Sequence, residues 1–285
     1  YGPLTRLDRV TRRTEYVIPP GCKLVEIGLG DLNISSWSMD FQQFQQTDLS
    51  ILADTRLALP ALVERCEALV ARDTAGQARR AARREALAAQ HAALWDSWRE
   101  RAREQWDLRP TSLPRLAAEV WEVIKDTDWV LTANTLEQWT YRTWDFDQPY
   151  RHPGKSLGTA TQIGIALGVA LAYKGTGKLV VDIQPDGDLL FDAAALWIAA
   201  HDQLPLLVVM YNNRAYYNDW EHQIRIARQR GTDVERAYIG QELNRPAPDF
   251  AKLAQAFGWY AEGPIEDPDA VRAAVARAAR VVREG

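Results

Sequence analysis

From residue 110 to the C-terminus, short apolar runs alternate with segments whose apolar residues recur every three or four positions. The runs at 129–132 (WVLT), 178–183 (KLVVDI) and 204–211 (LPLLVVMY) predict strands. The last is almost continuously apolar, as a strand covered on both faces must be. Helical spacing predicts helices over 114–125, 158–173, 193–201, 250–257 and 268–283. Strands alternating with helices imply βαβ units, hence an α/β fold with a parallel sheet and helices on both faces.

The first hundred residues read differently. Runs at 23–29 and 48–53 predict two strands, and 57–70 carries Leu59, Leu62, Val63, Cys66, Leu69 and Val70 at helical spacing. Residues 1–70 thus look like the end of an α/β unit, too short to be complete. Residues 71–106 are dominated by strong helix formers, Ala, Arg, Glu and Gln. Leu87, Leu94, Trp98 and Ala102 make one apolar stripe there, and Arg109-Pro110 ends the pattern. The predicted organisation is a partial α/β domain (1–70), a helical linker (71–106) and a second α/β domain (107–285).

Composition excludes several classes. With 285 residues, 34 Lys and Arg against 38 Asp and Glu, the net charge is −4, and no global field favours nucleic acid. The linker carries eight Arg and five acids from Ala71 to Gln105, which suits a solvated helix better than a nucleic-acid arm. Eleven Trp speak against disorder. No apolar run reaches the ~18 residues of a membrane span, and no signal peptide is visible, so the expected location is cytoplasmic. Cys22 and Cys66 cannot make a disulfide framework and are expected to be buried free thiols. The start at Tyr1 and the helix-like end at Gly285 read as cuts inside a larger design.

Two strand ends carry unusual residues. Ile183 is followed by Gln184-Pro185-Asp186-Gly187-Asp188, and Tyr211 by Asn212-Asn213-Arg214-Ala215-Tyr216-Tyr217. Ligands of such sheets bind beyond the carboxyl ends of the strands. A carboxylate from one end, an amide oxygen from another and a nearby carbonyl form a hard oxygen set suited to Mg²⁺, which also takes oxygens from water and phosphate. Gly187 lets the backbone come close to a ligand, and N–H groups of a helix starting near Asp192 could receive negative charge. Each piece alone is also ordinary turn chemistry. Their joint occurrence at two strand ends favours the site.

Asp186-Gly187, a 27-residue step and Asn212-Asn213 resemble the thiamine diphosphate motif. The flanking DLLFDAAALWIAAHDQLPLLVVMYNN is similar to the strand-helix-strand of the diphosphate-binding domain, and residues 107–285 resemble that domain almost throughout. Residues 1–70 resemble the last part of the middle domain in the branch of acetolactate synthase, benzoylformate decarboxylase and 2-hydroxyacyl-CoA lyase. The resemblance implies thiamine diphosphate and Mg²⁺ as cofactors. It implies Asp186, Asn213 and the Ala215 carbonyl as metal ligands, with Gly187 and Asp188 lining the diphosphate. Asn134, Thr135 and Leu136 would lie near the cofactor, and one residue of Ala160–Ile163 near the apolar prop that bends it. Pro185 departs from the usual Gly of the motif, although Pro suits an extended segment.

A pyrimidine domain carrying the activating Glu has no room in this chain, and the final strand of the diphosphate domain is expected to lie outside it. The resemblance therefore implies a second polypeptide or precursor region bearing that Glu, and an oligomer with active sites at interfaces. The implied activity is a carboligase or 2-oxo acid decarboxylase, cleaving or forming a C–C bond beside a carbonyl; 2-hydroxyacyl-CoA lyase is the alternative. A non-catalytic scaffold or regulatory subunit is the reading from another class.

Further candidates follow the second loop. His222 could shuttle a proton at the substrate, with Tyr217 and Glu221 beside it; all three could equally be helix-surface residues. Arg225, Arg228 and Arg230 solvate a helix or steer an anionic substrate. Trp139, Tyr141, Trp144, Phe146 and Tyr150 read as core or interface. Gly28-Leu29-Gly30-Asp31 reads as a strand-to-loop turn, because no third Gly completes a nucleotide fingerprint.

Overall fold

The computed structural model describes residues 18–30, 47–133, 138–152 and 159–284, and the backbone of 5–7 and 14–16. The chain forms two compact units, residues 1–89 and 90–285.

In the first unit, β1 (Thr5–Leu7) pairs antiparallel with β2 (Thr14–Tyr16), and β3 (Val25–Gly28) pairs parallel with β4 (Leu49–Leu52). Helix α1 (Thr55–Arg72) starts at Asp54, whose side chain accepts the Arg56 N–H at 2.8 Å. Helix α2 (Gln77–Arg103) begins in this unit and ends in the second. The expected linker helix is therefore broken near its start. Asp73 accepts the Gly76 N–H at 3.0 Å and pairs with Arg80 at 2.5 Å, and a side chain at Gly76 would strike the Asp73 carboxylate. Both cysteines are free, as expected, but exposed rather than buried. No residue of α1 is buried, so its apolar positions, Cys66 included, have no core to enter.

The second unit is built on β5 (Trp129–Ala133), β6 (Leu179–Pro185) and β7 (Leu206–Tyr211), all parallel, in the order β5-β6-β7. Strand alternation sorts the side chains onto two faces. Trp129, Leu131, Leu179, Val181, Ile183 and Leu207 enter one core with α3 (Leu113–Ile124) and α10 (Pro268–Glu284). Val130, Val180 and Leu206 enter the other, with α5 (Gln162–Ala172), α7 (Ala195–His201) and α9 (Phe250–Ala256). Helices thus cover both faces of the sheet, as expected. Two short helices, α4 (Trp139–Thr143) and α6 (Asp186–Phe191), and the exposed α8 (Tyr217–Arg230) complete the unit.

Trp139 and Trp144 are buried and Phe146 packs against them, whereas Tyr141 and Tyr150 are exposed. The aromatic set is therefore core only in part. A large cleft of about 920 Å³ runs along β7, between it and residues 259–266, walled by α9 and α10. Asn212, Asn213 and Arg214 rim it, but Asp186 does not line it.

The α3–α10 layer is tied by charge. Buried Glu119 accepts Arg115 Nε at 2.6 Å and Arg272 Nε at 2.5 Å, and Arg115 also reaches Asp269 at 3.1 Å. The Arg115 guanidinium lies over the Trp106 ring, 4.3 Å from its centroid. Glu119→Gln leaves two guanidinium groups facing a neutral amide. It should cost about 3 kcal/mol, read as a lower urea midpoint at unchanged slope.

Candidate functional site

The C-terminal end of β6 turns directly into α6. Pro185 has φ −76° and ψ 144°, extended as a last strand residue should be, and it is in register with Tyr211 of β7. Its missing N–H therefore does not disturb the strand. The helix expected near Asp192 is α7, but a further helical turn, α6, begins at Asp186 itself. Pro185 serves as its N-cap, and the acids Asp186 and Asp188 occupy its first turn, where the helix dipole favours negative charge.

Asp186 is 2% exposed. Burial raises its pKa, while the backbone N–H groups of Gly187, Arg214, Asp186 and Ala215 pull it back. The influence of Arg214 and Ala215 shows that the end of β6 and the loop after β7 meet at this carboxyl. One of its oxygens, Oδ2, is buried without a hydrogen-bond partner. An orphan carboxylate oxygen is costly and calls for a donor or a cation.

The loop after β7 is shaped by its two asparagines. Asn212 Oδ1 accepts the Arg214 N–H at 3.1 Å, and Asn213 Oδ1 accepts the Ala215 N–H at 3.0 Å. These Asx turns hold Arg214 at φ 56°, in the left-handed region. The turn chemistry read from the sequence is thus present, yet an amide oxygen has two lone pairs and keeps one for a ligand. Ala215 bridges Glu242; the flanking bonds, Leu243 N–H to Arg214 C=O (2.8 Å) and Tyr216 N–H to Gln241 C=O (2.9 Å), leave the Ala215 C=O outside that pairing. A carboxylate, an amide oxygen and a peptide carbonyl form a hard oxygen set that fits Mg²⁺. Among the described residues no group of three or more His, Cys, Asp or Glu is placed to hold a metal.

Gly187 and Asp188 take separate roles in the turn. Tyr216, the residue before α8, lays its ring on Gly187 and against Phe191, with ring centroids 5.4 Å apart. Its hydroxyl is pushed up in pKa by burial and then by the charges of Asp186 and Asp188. A Cβ on Gly187 would stand 2.6 Å from Tyr216 Cε1. Gly187→Ala should therefore displace that ring and cost roughly 1–3 kcal/mol, read as a lower melting temperature with an altered tyrosine near-ultraviolet signal. Asp188 points back into the protein, to the Ala160 N–H at 2.5 Å and Gln184 Nε2 at 3.2 Å.

Tyr217, Glu221 and His222 lie along exposed α8, immediately beyond the loop. His222 Nδ1 meets Arg225 at 3.0 Å, and Arg225 lies 4.0 Å from Glu221. These surface pairs match the helix-surface reading at least as well as the catalytic one. Asn134, Thr135 and Leu136 lie outside the described residues; the preceding Ala133 is in register with Asp182 of β6. Sequence reasoning missed Tyr216, Asp182 and Gln184. Tyr216 had a signal in Gly187, the one residue that admits a ring so close. Asp182 was hidden in the apolar run KLVVDI. It is fully buried, neither carboxyl oxygen has a partner, and burial pushes its pKa up to about 8.

The family described as "Thiamine pyrophosphate enzyme, C-terminal TPP binding domain" matches residues 134–284. A Mycobacterium tuberculosis chain named for the acetolactate synthase large subunit is 32% identical over 126 residues, covering 42% of this chain and 24% of that one. The acetolactate synthase large subunit of Porphyra purpurea is 27% identical over 176 residues, covering 57% and 28% respectively. The present chain thus spans about a quarter of the length of these relatives. Among solved structures, the thiamine diphosphate-dependent 4-hydroxybenzoylformate decarboxylase of Rhodococcus jostii RHA1 superposes with a TM-score of 0.50 at 20% identity, over 61% of this chain and 31% of that one. That likeness is one of fold.

Proposed function

The chain belongs to the thiamine pyrophosphate enzymes, and from that premise we propose that it is part of an enzyme using thiamine diphosphate and Mg²⁺ to cleave or form a C–C bond beside a carbonyl. The observation that carries the reading is the buried Asp186 carboxyl, with one orphan oxygen, meeting the Asn213–Ala215 loop. Asp186, Asn213 and the Ala215 carbonyl would hold the metal, and Gly187 would let the backbone approach the diphosphate. Asn134, Thr135 and Leu136 would contribute from the end of β5. When bound, the cofactor supplies the electron sink for the carbanion left by C–C cleavage.

What the chain itself does is bind, orient and exclude water. The end of β6 fixes Asp186, the paired Asx turns fix the amide and carbonyl oxygens, and the Tyr216 ring closes over Gly187. Residues 107–285 are the diphosphate domain in this reading, and 1–70 the end of a middle domain. The pyrimidine-binding part, with the Glu that activates the cofactor, would come from outside these 285 residues, either from another polypeptide or from further chain. Acetolactate synthase-like carboligation or 2-oxo acid decarboxylation is the activity favoured by the named relatives. His222, with Tyr217 and Glu221, would handle protons at the substrate.

Calorimetric titration of the native particle with thiamine diphosphate tests this. Binding that requires Mg²⁺ is expected. No binding in any assembly would leave a scaffold role instead. Among the described residues no helix is long and apolar enough to cross a membrane.

A further inference from the structure

Asp188 stands two residues from the proposed metal ligand Asp186, on the same helical turn. A second carboxylate there would repel a diphosphate if it faced the site. The structure turns it away. Asp188 is 8% exposed, one oxygen accepts the Ala160 N–H at 2.5 Å, and the other accepts Gln184 Nε2 at 3.2 Å. Gln184 is itself fully buried and also reaches the Pro185 carbonyl at 3.3 Å.

The partner at the other end is unusual. Ala160 has φ 66°, a left-handed conformation that a residue with a Cβ adopts at a cost. It lies two residues before α5, whose N-cap Thr161 makes no side-chain capping bond. A strained residue persists where the surroundings over-determine it. Here the determining contact is a buried carboxylate arriving from 28 residues away. A backbone N–H bonded to a carboxylate is charge-assisted, among the stronger kinds of hydrogen bond available.

We propose that Asp188 is a positioning residue: its carboxylate, braced by Gln184, clamps the left-handed turn at Ala160 and so sets the entrance of α5 relative to the Asp186 turn. The inference rests on the cofactor reading above. It assigns Asp188 to the packing between two segments of the site, in place of contact with the diphosphate. Charge is not essential to the clamp. In Asp188→Asn the side-chain oxygen still accepts the Ala160 N–H. Gln184 Oε1, which has no partner, can turn to receive the new amide.

Two readouts test it in the native particle, amide exchange at residues 159–163 and thiamine diphosphate affinity with Mg²⁺. In the wild type the Ala160 amide should be protected although it lies outside any helix. Asp188→Ala should speed its exchange and weaken cofactor binding, each by roughly tenfold or more, and Asp188→Asn should restore both to within about threefold. An unprotected Ala160 amide, wild-type behaviour in Asp188→Ala, or Asp188→Asn no better than Asp188→Ala overturns the proposal. Faster exchange with unchanged affinity overturns it as well. If Asp188→Ala does not fold, the wild-type exchange and the Asn variant decide. Failure of the wild type to bind the cofactor would sink the cofactor reading, while the exchange data would still judge the clamp between Asp188 and Ala160.

Discussion

Asp186→Ala should weaken Mg²⁺-dependent thiamine diphosphate binding on the order of 100-fold or more, while leaving the unliganded protein at least as stable as the wild type. The first half follows from the donor set. The carboxylate is the only charged member of the proposed trio; the others are an amide and a peptide carbonyl. Outer partners of a metal site are typically worth 10–100-fold in metal affinity, and a direct ligand is worth no less. The second half follows from burial. Asp186 has an orphan oxygen and a pKa raised by desolvation, so without a bound cation the protein holds this carboxylate at a cost. Alanine removes that cost together with the function. Opposite signs in the two measurements distinguish a ligand from a structural acid, whose loss would lower both. Titration calorimetry and a melting curve without cofactor suffice. Retained binding, or a marked drop in melting temperature with binding intact, would contradict the assignment. The wild type should also lose affinity on acidification, beginning above the ordinary carboxylate range, because only the ionised group ligates.

The sheet was legible because its strands are the most apolar segments of the chain. The runs at 129–132, 178–183 and 204–211 appear as β5, β6 and β7 with their ends shifted by at most two residues. The loop tips were legible because Asp-Gly and Asn-Asn are turn-formers placed where strands end. What the sequence concealed was contact at a distance. Gly187 signals a close approach but not that the Tyr216 ring makes it, and nothing local says that Asp188 reaches back to Ala160. Helix α6 was also hidden. The predicted helix at 193–201 is α7, but Asp186 to Asp188 read as a loop, whereas with Pro185 extended at the N-cap position and two acids in the first turn a short helix starts there. The expected burial of Cys66 failed for a different reason. Free apolar thiols are commonly buried, but α1 exposes its whole apolar stripe, so the residue-type expectation had no core to act on.

The fully buried Asp182 leads to the second large effect. It occupies mid-β6, between Val181 and Ile183, with both carboxyl oxygens unpartnered. Burial pushes its pKa up to about 8, and the Asp188 charge adds to the shift; the nearby Thr132 hydroxyl donates to the Val181 carbonyl at 3.3 Å. In the unfolded chain the same group titrates near 3.8. Between those values the native state holds a proton that the unfolded state has released, so stability is greatest at low pH and falls as pH rises toward 8. At pH 7 the gap amounts to about 4 kcal/mol, at 1.36 kcal/mol per pKa unit. Asp182→Asn replaces the neutral acid by a near-isostere that has no proton to lose. Its melting temperature should match the wild type near pH 4 and exceed it by roughly 10 °C at pH 8, given 2–4 °C per kcal/mol for a domain of this size. Melting curves at several pH values check this, and a difference that stays flat with pH would rule out the buried acid as its source. An acid kept at such cost four residues before Asp186, on the strand that delivers it, has no structural rationale in the core that surrounds it. The comparison that exposes its role is cofactor affinity in Asp182→Asn. Gained stability with lost affinity would place Asp182 among the groups that set the electrostatics beneath the metal site. Gained stability with unchanged affinity would mark it as a cost borne by the strand alone.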